Sequence, residues 1–395
     1  MDESLSIALL SVPFGPQRRD GIRNTVGKFA AELDSRGHNV MIIQQRGSNY
    51  PTYDRVDGVQ VYRPYHFITF PKSPYNAKSP LLTYSLAVRK AQSEFDVTFD
   101  IIHVFGAAPL TGLRGILCRA FTDARIFYTA KAVPPNPNGF GPRSFRYSRV
   151  LNLTHGAFAA TPTIKHHLEE YGCKVPIKVI PPNIDTQKFS PIDANDLRDN
   201  LDLGTKKLVF YYGHFVPSKG VDVLLQAIPK IIERDTSVRF ILAWSRGGQR
   251  EHIDDLIEDL GIHDYIDIIP WEQGFPINRY VNAADLVVLP YRSIVETEAV
   301  PLCVVESMAA GRPVLSTRQS HLEDYFNHGE DIYLVEPESP TQLADGVNHL
   351  LTSPDLREQL AENGQARSTE FAVDRIVDKH LEWYAHDNPR VALSN

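Results

Sequence analysis

Cysteine is scarce in this chain, with three in 395 residues. Cys118, Cys173 and Cys303 are widely spaced in apolar or helical contexts, so they build neither a disulfide framework nor a metal-ligand cluster, and a reducing cytoplasm is the compartment they favour. A thiol nucleophile at Cys303 has no evident partner, and buried filler is the plainer role. Long apolar runs are missing as well. None approaches the ~20 residues that span a bilayer. The amino terminus, Met-Asp-Glu-Ser, is acidic and leads into the short apolar run 7–12, which reads as a first strand and not as a signal peptide. Repeats, low-complexity tracts, heptads and sequence-specific nucleic-acid motifs are all absent, so solenoid, coiled-coil and nucleic-acid-reading classes drop out.

What is present is the composition of a soluble globular protein, 43% hydrophobic and 23% charged. The length favours two domains of about 150–200 residues each. A net charge of −7 conceals an asymmetry. Residues 1–188 hold 23 Lys and Arg against 14 Asp and Glu, whereas residues 189–395 hold 18 against 34. A basic first half suggests an anionic neighbour.

Both halves alternate short β-rich runs with helical patterns, the arrangement of a parallel sheet covered by helices. Strands are expected at 7–12, 39–44, 60–63, 101–104, 126–129, 158–160 and 178–181, separated by helices at 22–35, 81–93, 110–121 and 163–171. The second half restarts with strands at 208–212, 239–243, 266–269, 286–289, 314–316 and 332–335. Helices at 221–234 and 252–260 lie between them, and helices at 342–351, 356–367 and 372–383 close the chain. The polar stretch 190–204 has no apolar periodicity and reads as a linker. The fold class is therefore α/β, two Rossmann-like domains with parallel sheets facing across a cleft, whose ligands bind beyond the strand carboxyl ends.

The most informative stretch is Glu298-Ala-Val-Pro-Leu-Cys-Val-Val-Glu306, followed by Ser-Met-Ala-Ala-Gly311-Arg-Pro313. Pro301 suits the first position of a helix. Leu302, Val305, Met308 and Ala309 then share an apolar face, with Glu306 offset from it. A helix start leaves the amides of Leu302 and Cys303 without intrahelical partners and carries partial positive charge, a seat for phosphate. Carboxylates are natural partners of sugar hydroxyls, so Glu298 and Glu306 on either side of a phosphate seat point to a nucleotide-sugar. Upstream, Gly213-His-Phe-Val-Pro-Ser-Lys219-Gly220 follows a strand. Gly213 permits close approach of a ligand, and Lys219 supplies a compact positive charge for a leaving diphosphate.

These two segments resemble the E-x7-E signature and the Gly-Arg-x-x-x-x-Lys-Gly loop of retaining glycosyltransferases of the GT-B fold, family 4. The resemblance implies that Glu298 holds the donor sugar, and that Lys219 and the loop arginine grip the diphosphate. Here His214 replaces that arginine, so either the imidazole is protonated beside the phosphate or another cation assists. The donor-binding set it implies is Gly213, Val300, Pro301, Leu302, Cys303 and Glu306. In the first half, Phe14-Gly-Pro-Gln-Arg-Arg-Asp20-Gly21 resembles the family's glycine loop under donor phosphate and acceptor, with Asp20-Gly21 where many members carry two glycines. Arg18, Arg19 and Arg23 cluster there, with a solvated patch as the alternative. Lys131 stands where the family often has a histidine near the transferred sugar. His103 is a second strand-end candidate, with a satisfied core histidine as its alternative. Val179-Ile-Pro-Pro-Asn183-Ile-Asp185 resembles the family's hinge, and the last helix resembles the one that crosses back to the first domain. The implied domains are 1–188 for the acceptor, 189–371 for the nucleotide-sugar, and the crossover helix and tail at 372–395.

A metal-independent retaining glycosyltransferase is the expected activity, with a nucleoside-diphosphate sugar as substrate, no cofactor, and a glycan, lipid-linked or small acceptor of glycoconjugate or polysaccharide biosynthesis. No Asp-x-Asp motif with other clustered hard ligands is present to hold a metal-bound diphosphate. Arg143, Arg146 and Arg149, interleaved with aromatics, suit an anionic membrane surface or a phosphorylated acceptor, against a solvated helix face. Trp271 is placed to stack on a base or to pack in the core. Two other readings stay open at this point: another GT-B activity such as a sugar-nucleotide epimerase or inverting transferase, and a non-catalytic scaffold in which His214 and Lys131 mark lost chemistry.

Overall fold

The computed structural model describes residues 4–11, 21–46, 50–65, 81–106, 109–131, 150–271, 274–292 and 300–385. The chain forms two compact units, Met1–Ile184 together with Val373–Asn395, and Asp185–Ala372.

The first unit runs β1 (Ser6–Leu10), α1 (Gly21–Ser35), β2 (Asn39–Ile43), β3 (Tyr53–Val56), β4 (Val59–Tyr62), α2 (Leu81–Phe95), β5 (Ile101–Gly106), α3 (Pro109–Ile116), β6 (Arg125–Ala130), β7 (Gly156–Ala159), α4 (Pro162–Glu170) and β8 (Ile177–Val179). Its eight-stranded sheet has the order β3-β4-β2-β1-β5-β6-β7-β8, parallel except for β3 against β4. Ile7, Ala8, Leu9 and Leu10 are all fully buried, as a strand covered by helices on both faces requires. Val26, Phe29, Ala30 and Leu33 recur at helical spacing and seat α1 on this core. The hairpin β3–β4 was not expected. Its two loop residues, Asp57 and Gly58, have φ of 51° and 84°, the left-handed pair of a type I′ turn.

The second unit holds α5 (Asn195–Asn200), β9 (Lys207–Phe215), α6 (Val221–Arg234), β10 (Val238–Gly248), α7 (Arg250–Leu260), β11 (Ile266–Trp271), α8 (Ile277–Ala283), β12 (Leu286–Leu289), α9 (Leu302–Ala309), β13 (Val314–Thr317), α10 (Ser320–Glu323), β14 (Tyr333–Val335), α11 (Pro340–Thr352) and α12 (Pro354–Ser368). Six parallel strands lie in the order β11-β10-β9-β12-β13-β14. The order reverses between β9 and β12, and the carboxyl ends of those two strands define a switch-point crevice. The stretch 190–204 is no free linker. Arg198 of α5 donates to the carbonyls of Ala283 at 2.7 Å and Lys206 at 2.7 Å and pairs with Asp285 at 3.0 Å, so this segment folds onto the second unit.

The last described helix, α13 (Val373–Ala385), belongs to the first unit. It buries Ile376, Val377, His380 and Tyr384 against α1 and the sheet. Tyr384 reaches the His103 ring, and its carbonyl accepts from Arg125.

Candidate functional site

β9 is longer than the expected 208–212. It continues through Phe215 because β10 stays in register alongside, pairing Trp244 with Gly213 and Ser245 with His214. Gly213 and His214 therefore sit on a strand end and not in a loop. A 3₁₀ turn, Pro217–Lys219, follows, and Gly220 at φ 64° caps α6. A Cβ on Gly220 would lie 1.9 Å from the carbonyl oxygen of Pro290, just past β12. Only glycine lets the β9 loop press this closely on β12. Arg292 completes the clamp. Its amide donates to the Ser218 carbonyl at 2.9 Å, Nη1 donates to the Pro217 carbonyl at 2.9 Å, and Nη2 pairs with Asp222 at 2.7 Å.

Lys219 is thus held at the switch point, half-buried, with Nζ 4.7 Å from the centroid of the Tyr291 ring. Tyr291 is 3% exposed. Burial, then the neighbouring Cys303 thiol, Tyr211 and Glu306, hold its phenol well above the ordinary range, so the ring stays neutral under the ammonium. The same side chain hydrogen-bonds Cys303, which links the Lys219 turn to the start of α9.

Pro301 is the cap of α9 and not its first helical residue: its ψ of 120° is extended, and its carbonyl accepts from the amide of Val304 at 3.0 Å. As proline it offers no side-chain acceptor to the first-turn amides. That leaves the amide of Leu302 without an intrahelical partner and the end of the helix positive. Burial of this helix extends beyond the apolar face, with Cys303 half-buried. Val304, Val305, Ser307 and Met308 are at 0% exposure, Val300 lies buried just ahead of the cap, and Glu306 retains 8%. α12 packs against this helix and brings Gly364 against Met308.

Tyr212, one residue before Gly213, ties β9 to this helix. Its hydroxyl donates to the Cys303 carbonyl at 2.8 Å and lies 3.2 Å from Ser307 Oγ and 3.4 Å from Glu306 Oε2. Trp271, half-buried at the end of β11, sets its ring edge-to-face with Tyr212 at 6.0 Å. On the other side of β9, Nδ1 of His214 lies 2.8 Å from Ser245 Oγ. Lys219, His214, Gly213, Leu302, Cys303 and Glu306 therefore belong to the segments at and just beyond the carboxyl ends of the central strands β9 and β12. Sequence reading missed Tyr212, Ser245, Tyr291 and Arg292, which hold them. A tyrosine immediately before the glycine, and an arginine two residues after the strand-end proline, were the available signals.

Glu298, Asp20, Arg18, Arg19, Arg143, Arg146 and Arg149 lie outside the described residues. Gly21 opens α1. Lys131 follows β6 at its carboxyl end, 8% exposed, with Nζ 5.5 Å from the Phe105 ring centroid. His103 is a core residue, at 0% exposure. One ring nitrogen meets the Tyr384 hydroxyl and the other lies 2.6 Å from Thr129 Oγ1. Burial first, then His380 and Lys131, drive its pKa well below the usual histidine range, so it packs as a neutral ring. Cys118 is equally inert, its thiol pushed up to about 12 by burial. Among the described residues no group of three or more His, Cys, Asp or Glu is placed to hold a metal, and no helix is long and apolar enough to cross a membrane.

Residues 19–188 match the family model described as Glycosyltransferase Family 4, and residues 193–367 match that of Glycosyl transferases group 1. The D-inositol 3-phosphate glycosyltransferase of Actinosynnema mirum is 28% identical over 96% of this chain and 96% of its own. That of Nocardiopsis dassonvillei is 33% identical over 55% of this chain, which spans only 52% of that relative. Anabaena HepE, solved in complex with UDP and glucose, superposes with a TM-score of 0.74 at 16% identity, covering 96% of this chain and 99% of its own, a likeness of fold. The strand orders, the helix capped by Pro301 beside the Lys219 turn, and two family models that between them span most of the sequence converge: the chain belongs to the family 4 glycosyltransferases and has the GT-B fold.

Proposed function

We propose that the chain is a retaining, metal-independent transferase that moves a sugar from a nucleoside-diphosphate sugar to an acceptor hydroxyl. The observation that carries this reading is the crowding of a helix start, a lysine ammonium and a buried carboxylate around the β9–β12 switch point. Glu306 holds the ribose hydroxyls and Glu298 those of the donor sugar. The Leu302 and Cys303 amides, Lys219 and His214 face the diphosphate. The bond from the anomeric carbon to the diphosphate oxygen breaks with its electron pair leaving on oxygen, and these donors stabilise the charge that develops there. One well-placed donor contributes about 3 kcal/mol to such a step. The acceptor hydroxyl forms the new bond and gives up its proton. Retention of configuration rests on family membership. A cytoplasmic location follows from the cysteine usage.

The basic first unit suits an anionic acceptor. An inositol phosphate is the first to try, because a relative matched end to end carries that name. The test incubates the purified chain with UDP-, GDP-, ADP- and TDP-sugars, with and without inositol 3-phosphate, and measures nucleoside diphosphate release. Turnover that is abolished in Glu298→Ala and Lys219→Ala supports the reading. A chain that neither binds nor cleaves any of the four donors defeats it.

A further inference from the structure

His214 poses a positioning problem that an arginine does not. A guanidinium presents donors in every direction of its plane, whereas a neutral imidazole carries one N–H, and that proton can sit on either nitrogen. The structure places one hydroxyl where it bears on that choice. Ser245 is the register partner of His214 on the adjacent parallel strand, is 8% exposed, and places its hydroxyl 2.8 Å from Nδ1. Backbone geometry holds both residues. The β9–β10 ladder shifts register between Ser245 and Gly248, a bulge of the kind that re-aims side chains. At Gly248, φ is 90° and a Cβ would fall 1.9 Å from the Phe215 carbonyl oxygen, so the bulge closes tightly on the strand end that carries His214. From the other side, the Tyr211 hydroxyl donates to the His214 carbonyl at 3.1 Å.

We propose that Ser245 is a positioning residue that turns the Nε2–H of His214 toward the leaving diphosphate. A serine hydroxyl serves either charge state of the ring. Against the neutral imidazole it donates to Nδ1 and leaves the proton on Nε2. Against the imidazolium it accepts from Nδ1–H, and Nε2–H still points the same way. The assignment rests on the proposed function only for the identity of the anion; the ring tautomer is a property of the protein alone.

Two measurements separate the two ideas. Ring ¹⁵N resonances of His214 in the neutral state report the tautomer, expected to be Nε2–H in the wild type and a mixture in Ser245→Ala. Calorimetric affinities for UDP, GDP and ADP are then compared for Ser245→Ala and Ser245→Thr, each in the His214 and His214→Arg backgrounds. Ser245→Ala is expected to weaken the best-bound diphosphate about 10-fold. Ser245→Thr, which keeps the hydroxyl, should restore most of it. In the His214→Arg background Ser245→Ala should change nothing. An equal loss in both backgrounds, or a mixed tautomer in the wild type, overturns the role of Ser245. If none of the three diphosphates binds wild-type protein, the role falls together with the function it rests on.

Discussion

Nζ of Lys219 lies 4.7 Å from the ring centroid of Tyr291, and Tyr291 in turn hydrogen-bonds Cys303 at the start of α9. The lysine is therefore oriented by a buried aromatic face just past the end of β12, not left to its own four-carbon stem. A cation over a desolvated ring is worth about 1–2 kcal/mol. Lys219→Met should lower kcat/KM for the donor by about 100-fold or more, the loss of a main charge on the leaving group. Tyr291→Leu keeps the ammonium but frees it, and should cost about 5- to 20-fold. Steady-state kinetics of the two variants decide the matter. If Tyr291→Leu is as damaging as Lys219→Met, the ring does more than orient.

Two glycines with nearly the same φ make a controlled comparison. Gly220 has φ 64° with the Pro290 carbonyl oxygen 1.9 Å from where a Cβ would stand, while Gly261 has φ 63° with open space around it. Left-handed backbone alone costs a non-glycine residue about 1–2 kcal/mol. Gly261→Ala should therefore lose about 1 kcal/mol in urea unfolding. Gly220→Ala must also push the Lys219 turn away from β12, and should lose more than twice that together with donor binding. Equal losses would mean that the turn yields without cost.

The strands of both sheets were legible because parallel strands buried on both faces are nearly continuous apolar runs, as at 286–289, where the expected and observed bounds agree. The hairpin at Asp57-Gly58 was legible too and was passed over, since its flanking strands are short and half polar. The length of β9 was not. Gly213-His214 has no strand propensity of its own, and only pairing with β10 extends the strand. The same holds for α5, whose reason to fold is Arg198 reaching three partners, two of them on the chain at 283–285. Within the candidate site, the motifs name Lys219 and Glu306, whereas Tyr212, Tyr291 and Ser245 meet partners far away along the chain, at Cys303, Lys219 and His214.

Tyr212 offers a test of the helix start. Its hydroxyl donates to the Cys303 carbonyl and lies near Ser307 and Glu306. Tyr212→Phe removes a buried hydrogen bond and should destabilise the fold by about 1–2 kcal/mol. With Glu306 no longer flanked by the hydroxyl, affinity for the nucleoside diphosphate should fall several-fold, read by calorimetry. Ser307→Ala is the control. Ser307 Oγ also donates to the Cys303 carbonyl, at 2.7 Å, so its loss should cost similar stability with less effect on affinity.

The first unit contains an acid-sensitive core at His380 and His103. His380 is on the buried face of α13 at 5% exposure, with Nδ1–H donating to the Ile376 carbonyl at 2.7 Å. Burial lowers its pKa to about 4, against about 6.5 in an unfolded chain. A histidine depressed on folding binds protons preferentially in the unfolded state. Its stabilising contribution is therefore complete above pH 6.5 and is lost as pH falls from 6.5 toward 4, by an amount on the order of 3 kcal/mol. His103 shifts in the same direction. Asp331, raised by burial, works the opposite way, whereas Asp235, held near 2 by Lys207 and Ser237, loses its contribution only below the carboxylate range. Comparing wild type with His380→Leu cancels the carboxylates. The variant gives up the bond to Ile376 and should be less stable at pH 7.5, yet its melting temperature should fall less between pH 7 and pH 4.5. Parallel pH profiles for the two proteins would show that His380 takes up its proton without opening the packing of α13 on α1.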